Sequence, residues 1–278
     1  MKKETAKVLS QNRIADEIYS MWIECEVANS AKPGQFIDVY VNDDSKLLPR
    51  PISICEVGEN KLRIVYRVVG GGTKLMSTYK NGDDLDIIGP LGNGFDLKER
   101  KAVLVAGGIG IPPMVELAKQ LSKEIGKENV LSVLGYRDEL FLVEELEKYS
   151  EVIVTTEDGS AGIKGTVIDG LKESLDGIVE ACGGISSSPL EEGSGAGRVV
   201  YGCGPIPMLK AVKEWALDES RPNKIEQCQI SLEERMACGI GACLACVCKT
   251  KEKDEHSNVC NKRICKDGPV FDANDVIL

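Results

Sequence analysis

Six of the chain's eleven cysteines fall in one short stretch near its carboxyl end. Cys238, Cys243 and Cys246 follow the spacing C-x4-C-x2-C, which is typical of [2Fe–2S] sites of the plant type. Four thiolates around two ferric ions and two sulfides leave about two negative charges, so a loop around them must direct backbone N–H groups inward. Gly239 and Gly241 permit the backbone dihedrals that such a loop needs. The spacing therefore predicts an iron–sulfur cluster.

The fourth ligand of such a cluster must come from farther along the chain. Cys248 follows Cys246 by two residues and would strain the loop, whereas Cys260 and Cys265 both reach. Cys260 sits in a polar linker, while Cys265 belongs to a compact Ile-Cys-Lys-Asp-Gly-Pro-Val-Phe stretch that we expect to return as a strand. A structural zinc site is the alternative, but zinc favours paired C-x2-C elements and this chain has one. The predicted metal ligands are Cys238, Cys243, Cys246 and Cys265.

Composition limits the other chemistries that the chain can perform. A single histidine among 278 residues, His256, leaves almost no material for Ser-His or Cys-His catalysis. Lys and Arg number 34 against 44 Asp and Glu, and a net charge of -10 disfavours nucleic acid, whose affinity rests on basic side chains at phosphates. No apolar run approaches the roughly 20 residues of a membrane helix. No signal-peptide core follows the first residues, so we expect a cytoplasmic protein.

The first hundred residues consist of short apolar segments separated by turn residues. Six strands at such short spacing predict an antiparallel β barrel, because closure removes the exposed edges of an all-β unit. One short helix is predicted at Thr73–Tyr79. The predicted strands are Lys7–Ile14, Ile18–Val27, Gln35–Val41, Ile52–Glu56, Lys61–Val69 and Asp84–Ile88.

After Arg100 the pattern changes to alternating apolar runs and helices, which predicts a parallel sheet covered on both faces. The predicted strands are Ala102–Ala106, Val130–Leu134, Val152–Thr155 and Val199–Tyr201, and the predicted helices are Pro112–Ile125, Leu140–Tyr149 and Pro207–Leu217. The chain then divides into a barrel at 1–99, an α/β nucleotide domain at 100–226 and a small cysteine-rich domain at 227–278. Ser, Gly and Glu dominate 183–197, which predicts a flexible surface insertion.

Two glycine turns follow strands of the predicted nucleotide domain. Gly108-Ile-Gly110-Ile-Pro112-Pro113 opens a helix, where free N–H groups and the positive end of the helix dipole suit a phosphate. As a dinucleotide fingerprint it is imperfect, because proline replaces the third glycine, and tight packing of strand against helix is the alternative. Gly202-Cys203-Gly204-Pro205 would lie at the same carboxyl edge of the sheet. The predicted cofactor-binding residues here are Gly108, Gly110, Gly204 and Pro205.

The barrel carries a second set of phosphate-binding features. Arg50-Pro51-Ile52-Ser53 lies between two predicted strands, Arg67 follows on the next strand, and Gly70-Gly71-Gly72-Thr73 then opens a helix. An arginine beside a glycine turn at the start of a helix is a pyrophosphate site in outline. Taken separately, a surface charge and a simple turn explain these residues at least as well.

Together these motifs resemble the ferredoxin-NADP reductase superfamily, which combines Arg-Pro-x-Ser and Gly-Thr in a barrel with Gly-x-Gly-x-x-Pro and Cys-Gly-Pro in a nucleotide domain. The tail, Ser231–Cys246 followed by Cys265–Phe271, is similar to the electron-transfer subunits of type B dihydroorotate dehydrogenases. Gly89-Pro90-Leu91-Gly92-Asn93-Gly94-Phe95 and Glu157-Asp158-Gly159-Ser160 also match that family. The resemblance runs nearly end to end, and 183–197 is its poorest match.

The resemblance implies FAD, one [2Fe–2S] cluster and NAD as a substrate. Ser53 would lie near flavin N5 and Cys203 near the nicotinamide, so these two are the predicted catalytic residues. The implied partner is an FMN-containing subunit that oxidises dihydroorotate in pyrimidine biosynthesis, with two copies of each chain in a heterotetramer. By the family pattern, the flavin is held by Arg50, Pro51, Ile52, Ser53, Val65, Tyr66, Arg67, Gly72 and Thr73.

The implied electron route runs from dihydroorotate to FMN in the partner, then to the cluster, to FAD and to NAD. FAD is the necessary converter, because nicotinamide exchanges electron pairs and a cluster exchanges single electrons. The choice of NAD over NADP rests on the resemblance: Asp138 and Glu139 suit ribose hydroxyls, whereas Arg137 suits a phosphate. Two alternatives stay open, a flavin subunit of an NADPH–ferredoxin or sulfide dehydrogenase and a regulatory binding module with a structural metal.

Electrons can leave a cluster only if one of its edges approaches the protein surface. Leu244 and Ala245, which lie between two predicted ligands, are therefore expected at a partly apolar exposed patch, a feature that often marks an interface. Packing of Leu244 under the tail is the alternative.

Overall fold

The computed structural model describes residues 1–176, 197–221, 224–253 and 258–278. The predicted insertion at 183–197 lies outside the described residues, apart from Gly197, and so does His256. Among the residues that are described, no helix is both long enough and apolar enough to cross a membrane.

Six antiparallel strands form a closed barrel in the order β1-β2-β5-β4-β3-β6, which confirms the predicted strand number and class. Alternate residues of β6 point inward, and the interior is filled by aliphatic side chains such as Ile23, Ile37 and Leu62. The strands are β1 Lys2–Ala15, β2 Ile18–Glu24, β3 Phe36–Tyr40, β4 Arg50–Gly58, β5 Lys61–Arg67 and β6 Asp84–Leu91.

A short helix, α1 at Gly71–Met76, connects β5 to β6. It begins before the predicted Thr73 because the Thr73 hydroxyl accepts a hydrogen bond from the Gly70 backbone N–H at 3.2 Å. This contact satisfies a backbone donor that has no partner within the helix. Further single turns outside the named helices lie at Glu26–Ser30, Gly108–Gly110, Lys127–Asn129 and Lys172–Asp176.

The second sheet contains seven strands in the order β10-β9-β8-β7-β11-β12-β15. All neighbours are parallel except β12 and β15. The strands are β7 Ala102–Gly107, β8 Val130–Tyr136, β9 Glu151–Thr156, β10 Ile163–Lys164, β11 Arg198–Cys203, β12 Ile225–Ser231 and, from the tail, β15 Val270–Asp272. The helices are α2 Pro112–Ile125, α3 Val143–Leu146, α4 Val167–Leu171 and α5 Ile206–Ala216.

Helices cover both faces of this sheet, as predicted. Along β7, Leu104 packs in the cluster that contains Leu117 of α2, whereas Val103 and Val105 pack in the cluster that contains Leu209 of α5. Successive side chains of β7 point to opposite faces of the sheet, and both faces are buried. The sequence of β7 is therefore continuously apolar.

The predicted helix at Leu140–Tyr149 is wrong in extent, because only the four residues of α3 are helical. Leu142 precedes α3 with a left-handed φ of 62°, which cannot continue a right-handed helix. Before it, the Phe141 ring meets the Tyr136 ring edge-on at 5.5 Å, and the Phe141 carbonyl accepts a hydrogen bond from the Tyr136 hydroxyl at 2.7 Å. Tertiary packing therefore shapes the first half of this segment.

The cysteine-rich tail continues directly from the second sheet. The predicted boundary at 226/227 falls inside β12, and β15 pairs antiparallel with β12 at the edge of the sheet. The remaining strands form a small sheet of three, β14-β13-β16, at β13 Val247–Thr250, β14 Asn261–Arg263 and β16 Val276–Ile277. Cys265 lies in the short helix α6, Ile264–Asp267, and not in a strand as expected, because the returning strand begins only at Val270.

Candidate functional site

A cavity of about 670 Å³ lies where the barrel, the parallel sheet and the tail meet. Its volume is within the range of small-molecule and cofactor sites. The lining residues from the barrel are Phe36, Leu48, Pro49, Arg50, Pro51, Ile52, Ser53, Val65, Tyr66, Arg67, Val69 and Thr73, those from the sheet are Ile109, Gly110, Cys203, Gly204, Pro205, Ile206 and Ser231, and those from the tail are Leu232, Glu233, Glu234, Arg235, Met236 and Pro269.

The predicted flavin-binding residues lie together on one side of this cavity. β4 supplies Arg50–Ser53, and the neighbouring β5 supplies Val65–Arg67. Gly72 lies beneath Arg50, since a Cβ on this glycine would be 1.9 Å from the Arg50 Nε atom. The Arg50 Nη1 group donates to the Lys46 carbonyl oxygen at 3.1 Å. A guanidinium held over the start of α1 fits the anionic part of a dinucleotide such as FAD.

Tyr66 borders the cavity, and its side chain packs in the core of the barrel. Its ring is buried in the barrel, and its hydroxyl donates to the Gln11 Oε1 atom at 2.7 Å. Burial raises the pKa of the Tyr66 hydroxyl. We therefore expect its contribution to a ligand to come from the main chain.

The two predicted glycine turns touch at the opposite side of the cavity. A Cβ on Gly110 would lie 2.3 Å from the Cys203 carbonyl oxygen, so only glycine lets the turn after β7 approach the turn after β11. Gly204 and Pro205 also line the cavity, whereas Gly108 lies outside the lining residues with a φ of +53°.

Cys203, the predicted nicotinamide residue, ends β11 at the edge of the cavity. Burial raises the pKa of its thiol to about 12, and a hydrogen bond with the Ser231 side chain acts weakly in the other direction. The thiol is therefore neutral at physiological pH, and it suits contact with a nicotinamide ring rather than attack as a thiolate.

Ser231–Met236 is a wall of the cavity that the sequence patterns did not identify. Ser231 pairs with Cys203 at the carboxyl ends of neighbouring parallel strands. Had Ile225–Ser231 been predicted as a strand, this edge position would have indicated Ser231 as a site residue. The residues that follow reach the cavity through tertiary folding alone.

The four predicted cluster ligands gather beside the cavity in two pairs. The Cys243 backbone N–H donates to the Cys238 Sγ atom at 3.4 Å, and the Cys246 thiol lies close enough to the Cys265 thiol to raise its pKa. Cys246 and Cys265 are buried, whereas Cys243 is exposed. The pairs are close enough that Cys238 acts electrostatically on Cys265.

This arrangement fits a binuclear cluster. Each iron of a [2Fe–2S] cluster takes two cysteines and shares two sulfides, so the ligands are expected two by two. Within the part of the chain that the structure describes, no three His, Cys, Asp or Glu side chains are grouped so that they could hold one metal ion. Four cysteines in two pairs are the donor set that a [2Fe–2S] cluster would use, and their role as ligands stays a prediction.

The backbone of the loop favours a thiolate at its first cysteine. Burial opposes ionisation of Cys238, but the backbone N–H groups of Ile240, Cys243 and Ala242 outweigh it and lower the pKa of the thiol to about 6. Inward N–H groups of this kind are what the sequence predicted for a loop around an anionic cluster.

Cys248 and Cys260 lie away from these pairs. Cys248 is on β13, where its thiol donates to the Lys262 carbonyl oxygen at 3.6 Å, and burial raises its pKa. Cys260 is exposed just before β14. The structure thus places Cys238 near Cys243 and Cys246 near Cys265, and the assignment of these four as the ligands stays a prediction.

Asp38 of β3 faces the start of the cysteine loop. Its side chain is fully buried, and neither carboxyl oxygen has a hydrogen-bond partner among the described residues. A Cβ on Gly239 would lie 1.9 Å from the Asp38 Oδ2 atom, so the carboxyl fills the space beside this glycine. Burial raises the pKa of Asp38 to about 6.

The surface of the cysteine loop is apolar. Leu244 is 63% exposed and has a φ of 57°, while Ile240 is 45% and Val247 39% exposed. The expected exposed patch is therefore present, and Leu244 does not pack under the tail. An exposed leucine in the left-handed backbone conformation is unusual, because this conformation is strained for residues that have a Cβ.

The candidate ribose-binding residues follow β8. The Glu139 Oε2 atom accepts a hydrogen bond from the Asp16 backbone N–H in the barrel at 2.7 Å, and the Asp138 Oδ1 atom accepts one from the Glu139 backbone N–H at 2.8 Å. Glu139 thus contacts the barrel, and it remains a prediction as a ribose ligand.

The tail matches a family model, that of the iron–sulfur cluster binding domain of dihydroorotate dehydrogenase B, over residues 233–277. The whole chain is 44% identical over 277 residues to a dihydroorotate dehydrogenase B (NAD(+)) electron transfer subunit from Caldanaerobacter subterraneus, covering 99% of both chains. It is 42% identical over 284 residues to the corresponding subunit from Fusobacterium nucleatum, again covering 99% of each.

Solved structures share the fold. The chain superposes on the NADH-dependent reduced ferredoxin-NADP oxidoreductase with a TM-score of 0.79 and 27% identity, covering 98% of this chain and 89% of that one. A ferredoxin NADP+ reductase from Neisseria gonorrhoeae, solved with bound FAD and NADP, gives a TM-score of 0.58 at 17% identity, covering 83% of this chain and 99% of that one. The barrel followed by a parallel sheet is thus the architecture of flavin- and nicotinamide-binding reductases.

Proposed function

The chain belongs to the family of dihydroorotate dehydrogenase B electron transfer subunits, and we propose that it carries electrons between a dihydroorotate-oxidising subunit and NAD+ in pyrimidine biosynthesis. Its cofactors are FAD and one [2Fe–2S] cluster, with NAD as a substrate. FAD, when bound, exchanges both electron pairs and single electrons, which connects a nicotinamide with a one-electron cluster.

One observation carries this proposal: the flavin cavity and the cysteine loop share a wall. Met236 lines the cavity, and Cys238 follows two residues later. Pro269 lines the same cavity and lies four residues after Cys265. The two segments that supply the cluster ligands therefore both border the site that suits FAD.

The chain's own residues bind and orient in this function. Arg50, Gly72 and Thr73 would hold the flavin, with Ser53 near its N5 atom. The Gly110 turn and the neutral thiol of Cys203 would receive the nicotinamide from the other side of the cavity. Cys238, Cys243, Cys246 and Cys265 would ligate the cluster. This division matches a chain whose described site offers positioning groups rather than an acid–base pair.

The proposed partner is an FMN-containing subunit that holds the dihydroorotate site, with two copies of each chain in a cytoplasmic heterotetramer. The name of the relatives, an electron transfer subunit, supports the presence of a catalytic partner. The exposed apolar side chains around the cysteine loop support a docking surface beside the cluster.

The test begins with an absorption spectrum, iron analysis and flavin analysis of the purified chain. We expect one FAD and two irons per chain, oxidation of NADH with an artificial dye as acceptor, and no turnover of dihydroorotate by the chain alone. A colourless chain with zinc would favour the regulatory module instead. Dihydroorotate oxidation by the homogeneous chain would contradict the proposed division of labour.

The reductase alternative shares the first two domains and has a solved structure of similar fold. Copurification separates it from the proposal. We expect the tagged chain to retain an FMN protein that oxidises dihydroorotate, whereas a ferredoxin reductase would instead reduce added ferredoxin.

A further inference from the structure

Asn93, just after β6 of the barrel, holds the segment that carries Cys265. Its Nδ2 group donates to the Asp267 carbonyl oxygen at 3.0 Å and to the Lys266 carbonyl oxygen at 3.3 Å. Its backbone N–H donates to the Gly268 carbonyl oxygen. These carbonyls end α6, where the helix itself supplies no donors. The barrel therefore caps the short helix on which Cys265 lies.

Gly92 brings the barrel into direct contact with the same segment. A Cβ on Gly92 would lie 2.5 Å from the Pro269 Cδ atom and 2.6 Å from the Gly268 carbonyl oxygen. Its φ of +70° lies in the left-handed region. Both the contact and the backbone conformation thus require glycine here.

A four-residue helix needs such external support. An isolated helix of this length does not form in water, because the cost of nucleating its first turn is not repaid by later hydrogen bonds. On its inner side, Cys265 packs in the same cluster as Phe36 and Leu91 of the barrel. The position of Cys265 is therefore set by barrel residues on two sides.

We propose that Gly92 and Asn93 are positioning residues that form a clamp, fixing the fourth cluster ligand to the flavin barrel. The proposal rests on the proposed cluster, which it deepens. It gives a physical role to Gly92 and Asn93 in the Gly89–Phe95 segment, which the sequence analysis could treat only as a family match. Because Cys265 lies beside Cys246, the clamp would fix where this pair of thiols could hold iron relative to the cavity.

The test uses two substitutions with matched controls. Gly92→Ala places a methyl group against Pro269, whereas Gly82→Ala has the same left-handed strain, at a φ of +92°, and nothing within 4 Å. Asn93→Asp removes the two amide donors, whereas Asn129→Asp removes a similar donor to the Ile125 carbonyl oxygen at the end of α2. The readouts are the rate of cluster loss to an iron chelator and the EPR spectrum of the reduced protein.

We expect Asn93→Asp to speed cluster loss about threefold, because its bonds are exposed to water, and Gly92→Ala to speed it about tenfold, because the clash moves the backbone. Both should alter the EPR spectrum, and Asn93→Asp should do so while FAD content and NADH–dye activity stay unchanged. The controls should retain the wild-type rate of cluster loss and the wild-type spectrum.

Unchanged cluster loss and EPR spectra in both clamp variants would overturn the inference, and so would equal changes in the matched controls. If Gly92→Ala fails to fold, the Asn93→Asp variant still tests whether the clamp positions Cys265. A wild-type chain that binds no iron under any reconstitution would refute the proposed function itself, and that result is recognisable before any variant is made.

Discussion

The pKa values of two of the clustered thiols, Cys238 and Cys265, shift in opposite directions. Backbone N–H groups overcome burial and lower the pKa of Cys238, whereas burial followed by the neighbouring Cys246 thiol raises that of Cys265 to about 12. Metal ligation requires thiolates, so the backbone of the loop favours the ligating form of Cys238, whereas burial disfavours that form at Cys265.

Replacing each clustered cysteine by serine tests the ligand set. We expect Cys238→Ser, Cys243→Ser, Cys246→Ser and Cys265→Ser to lose the cluster, because serine is a poor ligand for iron in these sites. Cys248→Ser and Cys260→Ser serve as controls and should retain full iron content and the brown colour. Retention of the cluster in Cys265→Ser together with its loss in Cys260→Ser would show that the fourth ligand is wrongly assigned.

Asp38 offers a test of buried charge. Its folded-state pKa of about 6 is above its usual value of 3.8, so ionisation costs stability, and the free energy of unfolding falls as pH rises from about 4 to 6. A pKa shift of this size means that ionising the buried carboxyl costs about 3 kcal/mol of stability. An asparagine amide without a hydrogen-bond partner would retain part of this cost. We expect Asp38→Asn to stabilise the loaded chain by about 1 kcal/mol at pH 8, and by less at pH 5.5.

Thermal unfolding at the two pH values measures this difference, with the exposed Asp44→Asn as the control. A lower unfolding temperature for Asp38→Asn at pH 8, accompanied by loss of iron, would mean that the Asp38 carboxylate supports the loaded loop.

At the scale of elements, the contact between two turns shapes the side of the cavity where we propose that the nicotinamide binds. A methyl group at Gly110 would meet the Cys203 backbone, which cannot move without displacing β11. We expect Gly110→Ala to lower kcat/KM for NADH in the dye assay by about 100-fold, because small misplacements of reacting groups cost rates of that order. FAD and iron content should not change.

Gly107→Ala is the matched control for this substitution. It lies three residues earlier, and its methyl group would meet the Met208 sulfur, which a flexible side chain can withdraw. Equal losses in the two variants would show that the segment tolerates no side chain anywhere, and that Gly110 has no special role.

Sequence patterns predicted the elements whose burial is regular. The helix Pro112–Ile125 has the predicted bounds, and all six barrel strands are present, because their apolar periodicity follows directly from packing. The start of α3 was missed because the Tyr136–Phe141 contact overrides helix propensity. The placement of Cys265 in a helix depends on capping by Asn93, a residue far away in sequence.

As with the fold, sequence patterns predicted some residues of the candidate site and missed others. Spacing alone indicated the first three cysteines, glycine turns after strands indicated Gly110 and Gly204, and the family resemblance indicated Cys203. The wall at Ser231–Met236 follows no local pattern, since it borders the cavity only because β12 joins the parallel sheet beside β11. Likewise, no periodicity indicates that Asp38 would meet the cysteine loop.

At the scale of the whole molecule, hydrogen bonds from two basic side chains fix the barrel to the sheet. Arg63 of β5 donates to both carboxylate oxygens of Glu145 in α3, at 3.0 and 3.1 Å, and Lys119 of α2 donates to the Val57 carbonyl oxygen at 2.7 Å. The two sides of the cavity are thereby held together at a distance from the cavity itself, and the cysteine loop is left with one open side.

The exposed apolar side of the cysteine loop, which includes Leu244, is the surface that we expect to bind the FMN subunit. We expect Leu244→Glu to weaken binding to the FMN subunit at least tenfold, because a charge would replace an apolar side chain at a desolvated interface. Ile277→Glu, at a side chain that is 53% exposed elsewhere in the tail, is the control and should bind normally. FAD, iron and NADH–dye activity should be unchanged in both.

Calorimetry or pull-down with the partner measures the difference. Loss of iron along with the partner would mean that Leu244 supports the cluster, and unchanged binding would place the interface elsewhere on the surface.

The pairing of β15 with β12 also orders events during synthesis. Cys238, Cys243 and Cys246 leave the ribosome before Cys265, and Cys265 leaves before the strand that closes the sheet edge. A nascent chain therefore presents three thiols of the site while the barrel that must receive the fourth is already complete. Iron insertion can finish only after Cys265 has been translated, so the brown colour of the protein reports that synthesis has passed α6 and reached the strand that closes the sheet.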